Sequence, residues 1–223
     1  MSYTFLVIAL AIAVVNWVAV EKRWKLVEYV AKPGTMVVLL LWLVLNGGLS
    51  WPMILFLLGL VFSLAGDVFL MLPRDQFIAG LASFLLAHVA YVIGFNTTPP
   101  PFNILALTFV VVVLITAQQI YRVIANGLDS QGLTRLKMPV QVYTIVIGLM
   151  LISALWTLAR YGEWTFTSAL LVTCGAVAFL VSDTILAYNK FVKPISHGRL
   201  MNMATYHLGQ VGIALGAALH FLR

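Results

Sequence analysis

The stretch WPMILFLLGLVFSLAGDVFLML, residues 51–72, contains one charged residue, Asp67. A bilayer core about 30 Å thick takes about 20 apolar residues to cross as a helix, and this run is long enough. A carboxylate inside such a run costs several kcal/mol, on the order of 2–4, unless it is paired, hydrated or protonated. The segment therefore predicts a transmembrane helix and, within it, a carboxylate with work to do. The 223-residue chain as a whole has the same character, 62% hydrophobic and 9% charged, with a mean hydropathy of +1.04. A water-soluble domain carries about a quarter charged residues, so that class is excluded.

Working outward, runs of similar length recur at about 3–20, 30–46, 77–95, 102–122, 139–159, 165–187 and 200–221. With 51–72 they predict an all-α, polytopic membrane protein of eight transmembrane helices forming one domain over residues 1–223. Asn46-Gly47-Gly48, Trp51-Pro52, Thr97 to Pro101 and Lys193-Pro194 punctuate the runs. The longest expected loop is 123–138. The first run is expected to be a retained helix and not a cleaved leader, because no basic residue precedes it and no small-x-small site follows.

Alternate loops carry unequal charge. Lys22, Arg23, Lys25, Arg74, Arg135, Lys137, Lys190, Lys193 and Arg199, with Lys32 and Arg122 at helix ends, make eleven of the thirteen basic residues. Arg160 and Arg223 fall on the other side. Positive loops stay in the cytoplasm, which predicts both termini outside. The net charge of +6 thus reflects topology and contact with membrane lipids, not nucleic acid. The lone Cys174 excludes an intrachain disulfide and a thiolate zinc site, and is expected to pack as a small residue between helices.

Of the seven acidic residues, only Asp67 and Asp183 lie inside spans. The alternative to function is a structural carboxyl that joins helices. Both acids fall four or five residues from the cytoplasmic ends of their runs, roughly 6–8 Å deep at 1.5 Å per residue. Lys32, Gln118, Gln119, Tyr143, Tyr206, His207 and Gln210 are expected near that depth, with His88 and Tyr91 deeper. Polar residues from several helices at one level predict a pocket opening toward the cytoplasmic headgroups. Two carboxylates in a site of low dielectric do not both ionise easily, so one is expected to hold a proton. That arrangement suits general acid–base catalysis through a cation-like intermediate. A His–Asp zinc site is the other option, but no HxxxH spacing occurs and His88 reads as too deep to join both acids. The segments Ser63 to Asp67 and Phe179 to Asp183 also resemble each other, as in a parallel four-plus-four repeat. A repeat with intramembrane acids leaves a proton-coupled transporter as the rival class. Gly209, Gly212 and Gly216 are expected to bring helices into close contact. His197 and His220 read as structural.

The segments Phe62 to Met71, Ala87-His88-Val89-Ala90-Tyr91, Ser182 to Ala187 and Tyr206 to Gln210, in this order, resemble the YhhN-type lysoplasmalogenase family. Lys32-Pro33 and Tyr143 fit the same pattern, while His207 stands where the family often has a second tyrosine. The resemblance implies an eight-helix hydrolase of the bacterial inner (plasma) membrane. It would cleave the vinyl ether of lysoplasmalogens to a fatty aldehyde and glycerophosphocholine or glycerophosphoethanolamine. On this sequence Asp67 and Asp183 become the candidate catalytic pair. Lys32, His88, Tyr91, Tyr143, Tyr206 and Gln210 become candidates for binding substrate and water. No cofactor or metal is implied, and the partners are a lysophospholipid substrate and membrane lipids.

Overall fold

The computed structural model describes residues 1–73 and 76–222. Arg74, Asp75 and Arg223, two of which entered the charge count, lie outside the described residues. All regular structure among the described residues is helical. The helices are α1 (Thr4–Lys22), α2 (Lys25–Leu45), α3 (Met53–Met71), α4 (Phe77–Phe95), α5 (Ile104–Ser130), α6 (Lys137–Ala159), α7 (Phe166–Phe191) and α8 (Gly198–Phe221). Helices α1 to α7 are each long and apolar enough to cross a membrane, so this is an integral membrane protein. Helix α8 has the length, at 24 residues, but a lower hydropathy. Its polar side chains Asn202, His207 and Gln210 are buried against neighbouring helices, which is how an interior helix departs from a plain apolar run.

Three helix limits differ from the sequence reading, and each difference moves the site. Helix α2 begins at Lys25 and not at residue 30, so Lys32 lies seven residues inside it, about 10 Å along the axis. Helix α5 continues to Ser130, and a 3₁₀ turn at Thr134–Leu136 leads into α6, so the expected long loop at 123–138 is mostly helix. The extension is polar in composition, yet Ile124 and Leu128 pack on Phe77, Val140 and Phe191. Tertiary burial of one face stabilises a helix that composition alone would leave open. Helix α7 runs to Phe191, which puts Asp183 two turns from its end instead of one.

The most extensive helix contacts are α7 with α8 and α3 with α4. Between α7 and α8 the backbones touch. A Cβ on Gly175 would sit 2.6 Å from the Ile213 nitrogen, and one on Gly212 would sit 2.9 Å from the Gly175 Cα. Gly209 and Gly216 face the same helix, so the glycine series does bring the pair together, as small residues do in lipid. The fully buried Trp42, Phe56, Phe95 and Phe179 belong to the main apolar cluster. At the end of α4 away from the site, buried Arg160 donates to the Phe95 carbonyl, to Asn96 Oδ1 (3.0 Å) and to the Thr98 carbonyl (3.2 Å). It caps the last turn of α4. Burial pulls this guanidinium below its ordinary pKa, with nearby Glu163 opposing. Cys174 is exposed on the outside of α7 and does not pack between helices.

Candidate active site

Helices α2, α3, α7 and α8 enclose a polar cavity of about 260 Å³ whose lining includes Lys32, Asp67, Asp183 and Tyr206. Pro33 follows Lys32 in mid-helix. Lacking an N–H, it leaves the Tyr29 carbonyl without its i+4 donor, loosening α2 where the lysine turns inward.

Asp67 is 1% exposed and Lys32 5% exposed, and they form an ion pair with Nζ to Oδ1 at 3.0 Å. The other carboxylate oxygen, Oδ2, accepts from the Tyr206 hydroxyl at 2.6 Å. Lys32 therefore does not snorkel to the headgroups. It is the counter-charge that lets an anion sit here.

Asp183 is held differently. Its Oδ2 accepts a short hydrogen bond from the Tyr143 hydroxyl, and that hydroxyl lies 2.9 Å from His88 Nε2. His88 Nε2 is itself 3.5 Å from Asp183 Oδ2. His88, fully buried among Tyr143 and Phe179, reads in the sequence as too deep to share a metal with both acids, and in the structure it approaches one of them, Asp183. Among the described residues no group of three His, Cys, Asp or Glu side chains is arranged to hold a metal ion. The two acids share the cavity, and Asp183 is near enough to act electrostatically on Asp67.

Tyr91 and Gln210 lie behind this arrangement. The Tyr91 hydroxyl donates to Gln210 Oε1 at 2.6 Å, both residues are buried, and neither lines the cavity. Gln210 follows Tyr206 by one helical turn, so the pair supports the tyrosine from below. His207 accepts at Nδ1 from Trp17 Nε1 at 3.0 Å, tying α8 to α1. Gln118 and Gln119 point outward and do not join the acids. His197 pairs with Glu21 at 2.7 Å, and His220 stacks on Trp164 at 3.8 Å between ring centroids.

The sequence reading passed over Lys25, Glu28, Tyr29 and Arg199, which it placed in loops or left unremarked. They line the mouth of the cavity, and Arg199 pairs with Glu28 at 2.6 Å. One signal was available. Lys25, Glu28, Tyr29 and Lys32 follow the i, i+3, i+4, i+7 spacing of a single helix face.

An adjoining pocket of about 60 Å³ is almost wholly apolar. It shares Leu70, Phe84, Asp183 and Leu186 with the polar cavity and continues to Leu81, Ile120 and Ile147. The site therefore has a charged mouth, an acid pair with phenol and imidazole partners, and an apolar extension. That arrangement can transfer a proton to a neutral amphiphile and stabilise a cation formed from it.

The model of the YhhN family matches residues 27–217. Lysoplasmalogenase TMEM86A of Homo sapiens is 36% identical over 162 residues, 71% of this chain and 63% of that protein. Lysoplasmalogenase TMEM86B of Mus musculus is 31% identical over 216 residues, 95% of this chain and 84% of that protein. The match thus spans less than two thirds of the human relative. No solved structure matches.

Proposed function

This chain belongs to the YhhN family, and on that premise we propose that it is a lysoplasmalogenase, a hydrolase of the vinyl ether bond in lysoplasmalogens. The names of its relatives support the substrate class. The observation that carries the mechanism is the unequal pairing of the two aspartates. Asp67 faces an ammonium at 3.0 Å and a phenol at 2.6 Å, which stabilise it as the anion. Asp183 has Tyr143 and His88 as its partners, a relay that can supply and recover a proton.

In this reading Asp183 gives its proton to the vinyl β-carbon, leaving an oxocarbenium ion on the α-carbon and ether oxygen. The Asp67 carboxylate stabilises that cation. Asp183, now anionic, takes a proton from the water that adds to the α-carbon. The hemiacetal then loses the glycerol oxygen as an alcohol, its hydroxyl proton passing to that oxygen through the same groups. One water is consumed, and a fatty aldehyde and a glycerophospho-alcohol leave. The mechanism uses no serine or cysteine nucleophile and no metal.

We further propose that all eight helices span the bilayer, with both termini outside. The acid cavity then opens to the cytoplasmic side of a bacterial inner (plasma) membrane, where the basic loops and the charged mouth meet phospholipid headgroups. The test is to incubate purified protein in detergent with a lysoplasmenyl lipid and measure free aldehyde, alongside Asp67→Asn and Asp183→Asn. Each substitution is expected to lower turnover at least about 100-fold. A carrier using the same acids would bind the lipid and release no aldehyde, and that result would sink the hydrolase reading.

A further inference from the structure

We propose that the substrate's hydrocarbon tail leaves the site sideways between α5 and α6, so that their seam at Ala117, Thr144 and Gly148 is a lateral portal to the bilayer. This rests on the reading of the substrate as a single-chain lipid.

The observation behind it is continuity. The apolar pocket beside Asp183 is walled on one side by Thr144, and Thr144 also lines a groove of about 190 Å³ between α5 and α6. The polar cavity and the apolar pocket share four lining residues, while the apolar pocket and the groove meet at Thr144 alone, with the α5–α6 contact between them. The Thr144 hydroxyl donates to the Val140 carbonyl at 2.8 Å, so its polar atom is already satisfied within its own helix. Beyond it the two helices approach at small residues, Ala117 on α5 and Gly148 on α6, with Gln118, Tyr121 and Gln141 also lining the groove. A Cβ built on Gly148 would stand 3.8 Å from Val113 Cγ1 and 3.9 Å from the Ala117 Cβ, ordinary contact with nothing interlocked. This differs from the α7–α8 seam, where backbones meet and no chain could pass.

Helix α5 also buries the smallest share of its apolar stretch among the seven apolar helices, so most of its surface is free to face lipid. From Tyr143, at the acid, to Ile152, at the far end of the groove, α6 advances nine residues, about 13 Å. An extended chain gains a little over 1 Å per bond, so roughly ten carbons fill that path and the remainder of a long tail lies in lipid. The portal also explains how a membrane-resident substrate reaches acids that the helices enclose.

The same geometry supplies a lock. Paired cysteines need Cβ atoms about 3.5–4.5 Å apart, and positions 117 and 148 meet that range. Ala117→Cys with Gly148→Cys, in a Cys174→Ala background, is oxidised and reduced, with closure scored by loss of maleimide labelling. Vinyl-ether lysolipids with chains of about sixteen carbons and about six carbons, the second too short to pass Gly148, are then compared. Closing the lock is expected to lower kcat/KM for the long chain at least about tenfold, to leave the short chain unchanged, and to be reversed by reductant. Gly148→Leu, which needs no oxidation, is expected to discriminate in the same direction and decides the matter if the cysteines do not pair.

Saturated ether lysolipids of the same two lengths give a binding readout that requires no turnover. If no vinyl ether is cleaved by any form, the hydrolase reading fails, and long-chain binding lost on oxidation still supports the portal. Equal long-chain binding and turnover in locked and open protein would overturn it, leaving the groove to bulk membrane lipid. So would equal losses for both chain lengths, which would make the seam a support for the site's shape.

Discussion

Lys32→Met is the most informative single substitution, because it removes one charge from a pair the structure shows to be buried. Lys32 and Asp67 are 5% and 1% exposed and meet at 3.0 Å. Methionine keeps the length and apolar stem of lysine, so packing changes little and the loss is electrostatic. Removing one partner of a buried pair leaves a charge without compensation, at a cost of about 3–5 kcal/mol. For chains of 150–250 residues each kcal/mol moves Tm by roughly 2–4 °C, so a fall on the order of 10 °C is expected. The double variant Lys32→Met with Asp67→Asn removes both charges, and the Tyr206 hydroxyl still has a partner at the new amide. It should recover most of the loss, giving a coupling energy of at least about 2 kcal/mol in the four-member cycle. Thermal unfolding of the four proteins in one detergent, followed by intrinsic fluorescence, measures this directly. If Lys32→Met costs less than about 1 kcal/mol and the two substitutions simply add, the pair is not formed, and Lys32 reaches for the headgroups after all. Both single variants should also be inactive, since the anion and its counter-ion act together.

Other expectations concern the remaining parts of the site. Tyr143→Phe removes the hydroxyl between Asp183 and His88 and should lower turnover at least about tenfold while the protein stays folded. Tyr91→Phe, behind the cavity, should cost about 1 kcal/mol of stability and leave the rate nearly unchanged. Activity should survive strong chelators, fluorophosphonates and thiol reagents, and a loss restored by zinc would make the acids ligands instead. The rate should be bell-shaped in pH, reporting apparent values of the coupled acids and their partners and not of one residue. Gly175→Ala places a Cβ 2.6 Å from the Ile213 nitrogen and should destabilise by about 1–3 kcal/mol, seen as a lower Tm. Reporter fusions after Arg135 and after Tyr161 should report cytoplasm and outside respectively, and the reverse result would invert the proposed orientation.

The sequence by itself determined that this chain lives in a bilayer, that it is helical, and that Asp67 and Asp183 stand apart from every other acid. Those properties are local. Run length sets span number, and a charge within an apolar run is visible without knowing its neighbours. Only the tertiary structure decided who pairs with whom. The 3.6-residue period cannot say that Lys32 on α2 meets Asp67 on α3, or that Tyr206 on α8 completes that pair. Nor could it place His88 beside Asp183, because that depends on how α4, α6 and α7 come together in space. Helix α5 runs past its apolar stretch to Ser130 because Ile124 and Leu128 pack on Phe77, Val140 and Phe191. There the energy comes from a face buried against residues distant in the chain, and hydropathy along the chain carries no record of it.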